Sequence, residues 1–540
     1  MRKICAKEEV RQLLGGKSTI ILSALVLLSF VVLLSGMAAA EQTQRNPTII
    51  HAQHVTTTVA IRDMPSVPFG NASKVMPEHD ENPNVHVSHA PDTAVQTTVL
   101  PEVKTTNLLN FDGIFDSQGG GFVPPDTNAS VGATQVVETV NIAYAVYNKS
   151  TGAVIMSPKS LRTLYSPLGG TCGTANLSDP TVLYDKIAGV WVISMVAYTN
   201  SFNSNAICVA VSTSSDATGT YHLYSFSYGG TLPDYPKVSV WPDAYYVTTN
   251  SFPGGGGFTG AESCAMDRTN MLKGNAATSQ CFQRGPNDFS MLPSDLDGST
   301  LPPTGAPNFE VEEGTSSTEL NLFKFHVDFT NPKNSTFTGP TILTVSSYSD
   351  ACGDSRTCIP QPSPGELLDG LGGRMMYRLP YRNFGDHEAL VATHSINPPS
   401  GSAHAAVRWY EIRNPSTSPV IFQQGTSFNS SISIWNGSIA MDKAGDIAIG
   451  ASASSPSMKP TVAYAGRVPS DPMGTLESPK VVISGGGVQE SSSDRWGDYS
   501  SMAIDPVDDC TFWYAQEYYA VSGAFHFNTR LNSFKFTTCN

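Results

Sequence analysis

The residues best suited to chemistry in this chain are acidic and amide side chains that stand just before apolar, strand-like stretches. They are Asp126, Asp179, Asp234, Asp386 and Asp498, with Asn308 and Asn436 in two further units. Their spacing is roughly 50 to 75 residues, which suits four strands and their turns. If the fold gathers these oxygens, they predict a cation site, and calcium is the natural ion outside cells. The alternative role is structural, because Asp and Asn also cap tight turns.

Arginines near these acids indicate recognition of an anion. Arg382 and Arg495 each precede a Gly-Asp turn, and Arg408 lies within a predicted strand. A guanidinium binds a carboxylate through two parallel hydrogen bonds. The alternative is that Arg382 and Arg495 join neighbouring units, and that Arg408, in an alternating strand, faces water.

The elements that must position these residues are repeated hairpins. In the clearest copy, a turn at Gly497 and Asp498 leads into an apolar strand at 501–504, a turn rich in Pro and Asp at 505–509, and an aromatic strand at 511–514. Such a hairpin cannot bury both faces alone, so its copies must pack on one another. The pattern predicts an all-β protein, a β-propeller of seven four-stranded blades. Six or eight blades, or two tandem sandwiches, remain as alternatives.

Composition agrees with an all-β protein and limits its partners. Only 14% of the 540 residues are charged, and the chain has 46 Gly and 37 Pro, which indicates many turns. The net charge of −14 argues against a nucleic-acid partner, since phosphate binding needs clustered Lys and Arg. We therefore expect a soluble monomer that binds an extracellular ligand.

The N-terminal sequence predicts export and a three-part organisation. Residues 1–40 combine a basic leader, an apolar run and a small-residue site, as in a signal peptide cleaved after Ala40. An uncleaved membrane anchor is the alternative, because the run is long enough to span a bilayer. Residues 41–106 are rich in Thr, Val, Pro and His and predict a disordered linker or propeptide. Residues 107–540 form the predicted propeller, secreted or held at the cell surface.

Cysteine usage is consistent with an oxidising compartment. Eight cysteines remain after Cys5 is removed with the leader. They fall into sequence-local pairs, so we predict disulfides between neighbours: Cys172 with Cys208, Cys264 with Cys281, Cys352 with Cys358, and Cys510 with Cys539. Spacings typical of zinc sites are absent from the sequence.

One octapeptide resembles a known turn. The stretch from Ser214 to Tyr221, Ser-Ser-Asp-Ala-Thr-Gly-Thr-Tyr, resembles the Asp-box that shapes the turn between outer strands in sialidase-like propellers. It has an extra residue between Asp216 and Gly219, has Tyr221 in place of tryptophan, and occurs once. More broadly, the chain looks like a group of secreted bacterial propeller proteins of unassigned activity. That group supplies no catalytic residues to carry over.

The resemblance implies what a sialidase-like glycoside hydrolase would need, namely an arginine cluster, an acid, and a tyrosine–carboxylate pair. The candidates are Arg382, Arg408 and Arg495 for the cluster, Asp386 or Asp498 for the acid, and Tyr499 or Tyr410 with Glu411 or Glu388 for the pair. Each also fits an ordinary strand or turn position.

The sequence therefore predicts a propeller whose acidic, calcium-loaded channel mouth binds an extracellular glycan or small molecule. Glycoside hydrolysis is the competing function. A third alternative, a structural or adhesive surface module, predicts tryptophan and tyrosine exposed on the outer rim.

Overall fold

The computed structural model describes residues 42–69, 76, 79, 85–353, 355–490 and 494–539. The described residues from Thr43 onward belong to one compact unit, Thr43–Asn540. The predicted signal peptide at 1–40 lies outside the described residues. No helix among the described residues is both long and apolar enough to cross a membrane.

The all-β prediction is confirmed, because strands dominate the described chain. Four precede the repeats: β1 (Gln42–Arg45), β2 (Thr48–His51), β3 (Gln53–Val55) and β4 (Thr105–Phe115). The rest follow in groups of four. Group one is β5 (Asn128–Val131), β6 (Gln135–Val140), β7 (Ala143–Asn148) and β8 (Val154–Ser160). Group two is β9 (Asn176–Asp185), β10 (Val190–Tyr198), β11 (Asn205–Ser212) and β12 (Tyr221–Gly229). Group three is β13 (Thr231–Val240), β14 (Tyr245–Pro253), β15 (Ala261–Met266) and β16 (Thr278–Gln283).

Group four is β17 (Leu292–Leu296), β18 (Asn308–Glu313), β19 (Glu319–His326) and β20 (Thr336–Thr344). A connection carrying β21 (Thr357–Ile359), β22 (Leu368–Asp369) and β23 (Met375–Met376) leads to group five. That group is β24 (Leu379–Asn383), β25 (Glu388–Ile396), β26 (Ala406–Arg413) and β27 (Val420–Ser427). Group six is β28 (Ser433–Met441), β29 (Ile447–Ser455), β30 (Met458–Arg467) and β31 (Glu477–Ile483). Group seven is β32 (Ser501–Ile504), β33 (Thr511–Tyr519) and β34 (Phe527–Phe536), completed by β4.

Among the described residues, helical structure is limited to single turns in the connections. The α-helical turns are α1 (Asp116–Gly119), α2 (Leu161–Tyr165), α3 (Gly170–Thr174) and α4 (Arg268–Met271). Three 3₁₀ turns lie at Ile61–Asp63, Ser166–Leu168 and Pro332–Asn334. None of them forms part of the core sheets.

Each group is an antiparallel meander whose first strand contacts the first strands of its neighbours. The contacts run from β5 to β9, β13, β17, β24, β28 and β32, and then back to β5. Between groups four and five, β17 and β24 pair in parallel. The first strands therefore form a closed circuit, which is completed when β4 pairs with β34 across the two ends of the repeat region.

The hydrophobic core lies between neighbouring groups. In β11, Ala206, Cys208 and Ala210 face the cluster shared with group one. Their neighbours Ile207, Val209 and Val211 face the cluster shared with group three. Successive side chains of a strand point to opposite faces of its sheet, so a strand buried on both faces is apolar at every position. This explains why such strands show no alternation in the sequence.

All four predicted disulfides are confirmed: Cys172–Cys208, Cys264–Cys281, Cys352–Cys358 and Cys510–Cys539. The Asp-box-like turn lies between the third and fourth strands of group two, β11 and β12, as the resemblance implies. There the Asp216 carboxylate accepts the Thr218 N–H at 3.0 Å, which closes the turn.

The expected disorder of residues 41–106 is corrected for the described part of this segment. β2 pairs with β16 and β3 pairs with β12, each extending the outer edge of a group. Further on, Val95 bridges to Thr426 and Glu102 bridges to Ser478. The composition indicated that the segment builds no core of its own, but a finished sheet edge offers unpaired N–H and C=O groups that need no apolar side chains. Propeller boundaries drawn at 107 therefore omit strands that belong to the sheets.

A buried charge cluster anchors this segment at His86. The His86 Nδ1 lies 3.2 Å from Asp350 and 3.3 Å from Glu313, and Glu313 also contacts His394 at 2.5 Å. Burial disfavours the charged imidazole, but Asp350 and Glu313 outweigh it and raise the pKa of His86 to about 10. Burial likewise opposes ionisation of Glu313, yet His394 and His86 lower its pKa to about 2.

We expect this anchor to weaken at alkaline pH. A pKa raised above its ordinary value of 6.5 contributes stability that is complete below pH 6.5 and is lost as the pH rises toward 10. His86→Ala leaves buried carboxylates without their cation and costs about 3–5 kcal/mol at this contact. Limited proteolysis of residues 85–104, normalised to an unstructured peptide at each pH, measures both effects. The exposed His89 provides the control His89→Ala. Cleavage that does not change between pH 6.5 and 10 contradicts this account.

Candidate functional site

The first strands of the groups lie next to one another, and different pockets lie at their two ends. Residues before β5 and β32 and in the first halves of β9 and β13 line one pocket, whereas residues later along the first strands, or in the turns that follow them, line cavities elsewhere. The strands therefore run side by side from the first pocket to the second set of cavities. We call the first pocket the mouth and the second the opposite end.

The mouth combines carboxylates with guanidinium groups. Its lining residues are Asp126, Asp179, Asp234 and Asp498, the arginines Arg356, Arg374 and Arg495, and Met76, His79 and Tyr235. Four of the five aspartates predicted from the sequence thus meet in one pocket, together with one of the three predicted arginines.

Backbone bulges place these side chains. Asp126, Asp179, Tyr235 and Asn436 have φ between 50° and 54°, in the left-handed region. In β9, β13 and β28 the pairing register shifts at this point, and the next residue is Pro180, Pro236 or Gly437. A bulge adds a residue and re-aims the side chains around it, and Pro has no N–H for the ladder. Each bulge costs about 1–2 kcal/mol for a residue that is not glycine, so the packing around it must hold it in place.

Hydrogen bonds join the aspartates across the circuit. Asp126 Oδ1 accepts the backbone N–H of Asp498 at 2.8 Å. Asn141 donates to Asp126 Oδ2 at 2.6 Å, and its own Oδ1 accepts the N–H of Asp179 at 2.9 Å. Asn141 therefore bridges groups one and two, and the Asp126–Asp498 contact bridges groups one and seven.

Two arginines converge on Asp498. Arg495 Nη2 lies 2.6 Å from its Oδ2, and Arg356 Nη2 lies 3.6 Å from its Oδ1. Arg356 also pairs with Asp369 at 2.6 Å. Because Arg356 lies between Cys352 and Cys358, that disulfide closes the loop that carries it.

A buried lysine lies beneath the mouth. The ammonium of Lys237 is 2.6 Å from the centre of the Tyr235 ring and 4.3 Å from that of Tyr499. Tyr499 donates to Asp179 Oδ2 at 3.1 Å and to the carbonyl of Pro236 at 3.0 Å. Burial raises the pKa of Tyr499 well above its ordinary value, so its hydroxyl is a donor at neutral pH and not a nucleophile.

The environment separates the aspartates by ionisation state. Burial, with Asp498 and Asp179 nearby, raises the pKa of Asp126 well above its ordinary value. Burial and Asp498 also raise the pKa of Asp179. Burial opposes ionisation of Asp498 too, but Arg495, Arg356 and Arg374 outweigh it and lower its pKa. The pKa values of neighbouring carboxyl groups are thus shifted in opposite directions, as in sites of acid–base catalysis.

The N-terminal segment covers part of the mouth. The buried Met76 donates its N–H to the Val123 carbonyl at 2.9 Å. His79 packs 4.9 Å from the Phe252 ring and 5.6 Å from the Phe202 ring, measured between ring centres. Burial, and then Arg495, lower the pKa of His79, so it is neutral at pH 7. A terminal group of a ligand therefore fits this mouth better than a continuous chain.

Asp386 and Glu388 lie elsewhere, which corrects their predicted place. Asp386 is exposed in the turn that follows β24, and it contacts His387 at 2.7 Å. The sequence reasoning took the strand after Asp386 as the first of its group, whereas that strand is the second. Glu388 accepts hydrogen bonds from Tyr381 at 2.6 Å and Ser416 at 2.7 Å and has a structural role.

Arg382 and Arg408 join units and do not reach the mouth. Arg382 forms a fork with Asp509, with both distances at 2.8 Å. Arg408 is buried against Asp92 at 2.6 Å. Arg382 follows the structural alternative described above, whereas Arg408 is buried and does not face water.

The remaining predicted residues also take structural roles. Tyr410 contacts His394 at 3.0 Å, and Glu411 pairs with Arg413 at 2.6 Å. Asn308 is buried in β18, where it donates to the Ser294 carbonyl at 2.8 Å. Asn436 is buried near the mouth, where its amide donates to the Gly497 carbonyl at 2.7 Å.

Sequence reasoning missed Arg356, Arg374, Lys237 and Asn141. Arg356 and Arg374 lie in the irregular connection between groups four and five, which has no counterpart in the other groups. The available signal was Arg356 itself, an arginine enclosed by two close cysteines. Lys237 follows Asp234 in the bulge sequence Asp-Tyr-Pro-Lys, and no sequence pattern marks it as buried.

The groups of side chains that could share a metal ion among the described residues lie outside the mouth. Three groups of His, Cys, Asp or Glu come close enough to share an ion, and none includes a residue of the mouth. Two of these groups contain disulfide-bonded cysteines, and the third is the His86 cluster. Calcium at the mouth therefore stays a prediction from the sequence.

Comparison with known proteins gives only distant likenesses. No protein-family model matches the chain, and no curated protein matches it in sequence. Among solved structures, the Hadza microbial sialidase Hz136 aligns at 10% identity over 77% of this chain and 75% of that one, with a TM-score of 0.34. An α-L-arabinanase from Penicillium chrysogenum aligns at 11% identity over 64% and 94%, with a TM-score of 0.32. An exo-β-1,3-galactanase from Clostridium thermocellum aligns at 11% identity over 63% and 74%, with a TM-score of 0.28. All three TM-scores are below 0.5, so these likenesses do not assign a function to this chain.

Replacing Asp498 should change the ionisation of Asp126. In Asp498→Asn the negative charge that raises the pKa of Asp126 is removed, so this pKa should fall. The free energy of unfolding should fall by about 3–5 kcal/mol, because Arg495 and Arg356 lose their buried partner. Carboxyl ¹³C NMR titration and denaturant unfolding measure the two effects. Asp386→Asn, in an exposed turn, is the control and should change neither; an unchanged Asp126 titration in Asp498→Asn argues against the coupling.

Proposed function

We propose that this chain is an exported seven-bladed β-propeller that binds an acidic glycan at the mouth. The seven groups of four strands and the closed circuit of first strands support the blade count. The four disulfides support an oxidising, extracellular setting. The argument for the ligand rests on the site alone.

The observation that carries the proposal is the charge balance of the mouth. Four cationic side chains lie there: Arg356, Arg374, Arg495 and Lys237. Burial and neighbouring carboxylates raise the pKa of Asp126 and of Asp179, which weakens their opposition to these cations. Three guanidinium groups around one small pocket offer the paired donors that a ligand carboxylate accepts.

The other polar groups of the mouth suit a sugar hydroxyl. Burial raises the pKa of Asp126 and of Asp179, which favours the protonated carboxyl group, and that group can both donate and accept hydrogen bonds. The Tyr235 ring adds an aromatic surface beside Arg374, whose guanidinium lies 5.2 Å from the ring centre. The pocket encloses about 10 Å³, so it admits the carboxylate end of a terminal sugar, such as a sialic or uronic acid, while the rest of the sugar lies outside it.

The adhesive alternative receives no support from the tryptophans. All six are buried: Trp191, Trp241, Trp409, Trp435, Trp496 and Trp513. They fill the spaces between groups, and none offers a ring to a partner on the outer rim.

Carboxylated sugars should bind where neutral sugars do not. Isothermal titration with N-acetylneuraminic acid, glucuronic acid and glucose compares the ligands. Arg374→Met should weaken binding of the acidic sugar at least ~10-fold, or about 1.4 kcal/mol. Arg530→Met, in a surface pair with Asp112, is the matched control and should bind normally.

The same titration, repeated with calcium and with EDTA, tests the ion predicted from the sequence. Calcium would require Asp126 and Asp179 to release their protons, so its binding should strengthen as the pH rises. Equal affinity for glucose, or unchanged binding by Arg374→Met, refutes the acidic-glycan proposal.

Hydrolysis is the second candidate, and the opposed pKa shifts of Asp126 and Asp498 favour it. Asp126 is the proposed acid that protonates the leaving oxygen, and Asp498 is the proposed base or nucleophile. A panel of fluorogenic acidic and neutral glycosides tests turnover. Asp126→Asn should lower kcat by about 10²–10⁴-fold, and Asp386→Asn should leave it unchanged. A silent panel with intact binding removes hydrolysis and leaves the binding function.

A further inference from the structure

The opposite end of the first strands holds a second cavity, remote from the mouth. It encloses about 520 Å³ and is lined by turn residues that follow the first strands, among them Lys186, Leu301, Lys443 and Val507. A narrower pocket of about 30 Å³ continues inward and shares Lys186, Ile504 and Pro506 with it. This inner pocket has room for about two water-sized groups. The shape suits a ligand with a small polar head and a larger body.

Polar atoms in the inner pocket lack partners within the protein. Asp297 is only 7% exposed, and its Oδ1 accepts a hydrogen bond from Arg378 at 2.6 Å. Its Oδ2 is buried and has no hydrogen-bond partner among the described residues. The Nδ2 of the buried Asn128 has none either, although its Oδ1 accepts the Val182 N–H at 3.0 Å, which fixes the orientation of the amide.

Lys186 places a positive charge between the two cavities. No hydrogen bond or ion pair joins it to any described residue, whereas its neighbours are paired. Arg378 binds Asp295 at 2.7 Å and Asp297 at 2.6 Å, and Arg382 binds Asp509. These pairs form a rigid frame in which the Lys186 ammonium and Asp297 Oδ2 remain available to a ligand.

The charges that face Lys186 come from several strands and turns. Burial lowers the pKa of Lys186 to about 8, with Asp297, Arg382, Asp509 and Asp295 as the charged neighbours. Taking the ammonium partly out of water without a close partner is unfavourable, and a ligand carboxylate relieves this cost.

The outer cavity has an apolar rim. Ile187, Leu301 and Val507 are 40%, 48% and 68% exposed, respectively, and all three line it. Exposed aliphatic side chains around a polar floor indicate a ligand that is apolar at one end.

We propose that the opposite end of the channel binds a free aliphatic α-amino acid. Its carboxylate pairs with Lys186 and accepts a hydrogen bond from Asn128 Nδ2, and its ammonium donates to Asp297 Oδ2. Its side chain packs on Ile187, Leu301 and Val507 in the outer cavity. Because Lys186 and Asp297 form no ion pair with each other, the zwitterionic head bridges the space between them. This site is independent of the glycan site at the mouth.

Isothermal titration of the full-length protein with L-leucine tests the proposal. Two analogues each remove one charge: 4-methylpentanoate lacks the ammonium, and L-leucinamide lacks the carboxylate. Both should bind at least ~10-fold more weakly than leucine. Lys186→Met keeps the apolar stem without the charge, and Asp297→Asn keeps Oδ1 for Arg378; each should also weaken leucine binding at least ~10-fold. Lys443→Met is the control, since Lys443 lines the same cavity but bonds to the Asp508 carbonyl at 3.2 Å, and it should bind normally.

Chemical labelling gives a second readout that does not depend on the variants. Leucine should slow acetylation of Lys186 at pH 8, followed by mass spectrometry, while Lys443 should react at an unchanged rate. No leucine binding at 10 mM, equal binding by Lys186→Met, or no protection of Lys186 would overturn the proposal. Thermal unfolding of each variant confirms that it folds.

Discussion

The pairing of β4 with β34 is the constraint on which the rest of the molecule depends. It joins two stretches from opposite ends of the repeat region and gives every first strand a neighbour on both sides. Asp126 and Asp498 are 372 positions apart, yet the carboxylate of one accepts the N–H of the other. Without this closure, groups one and seven would expose sheet edges, and the mouth would lose one of its walls.

The mouth gathers like charges that would repel one another if all were ionised. The protein meets this in two ways: burial raises the pKa of Asp126 and of Asp179, which favours their neutral forms, and arginines neutralise Asp498. Buried charges of this kind often contribute less stability than apolar residues of the same volume. Retaining them is consistent with a role in recognising a charged ligand. The opposite end also combines buried charges, but fewer of them. Arg378 and Arg382 form ion pairs with most of its carboxylates, and Lys186 has no partner among the described residues.

The sequence allowed correct prediction of features that depend on local pattern. The all-β class and the disulfides followed from turn residues and from cysteines close in sequence. Asp126, Asp179, Asp234 and Asp498 were identified because each stands before an apolar stretch that belongs to the first strand of its group. Asp386 failed the same rule because β24 before it is short and reads as part of a loop, so the second strand was taken for the first.

Features that depend on long-range contacts were not predictable in this way. Arg356 and Arg374 reach the mouth from a connection with no repeat, and no spacing assigns them to it. β2 and β3 bind to sheet edges through backbone hydrogen bonds, and amino-acid composition does not predict such bonds. The roles of Arg382 and Arg408 depended on their partners Asp509 and Asp92, which lie far away in the sequence.

The small loop closed by Cys352 and Cys358 links the chemistry of the mouth to the redox state of its surroundings. This loop carries Arg356 and hence part of the positive charge that keeps Asp498 ionised. Reduction of this disulfide would open the loop and release this guanidinium. The proposed ligand recognition would then depend on an oxidising environment around the protein.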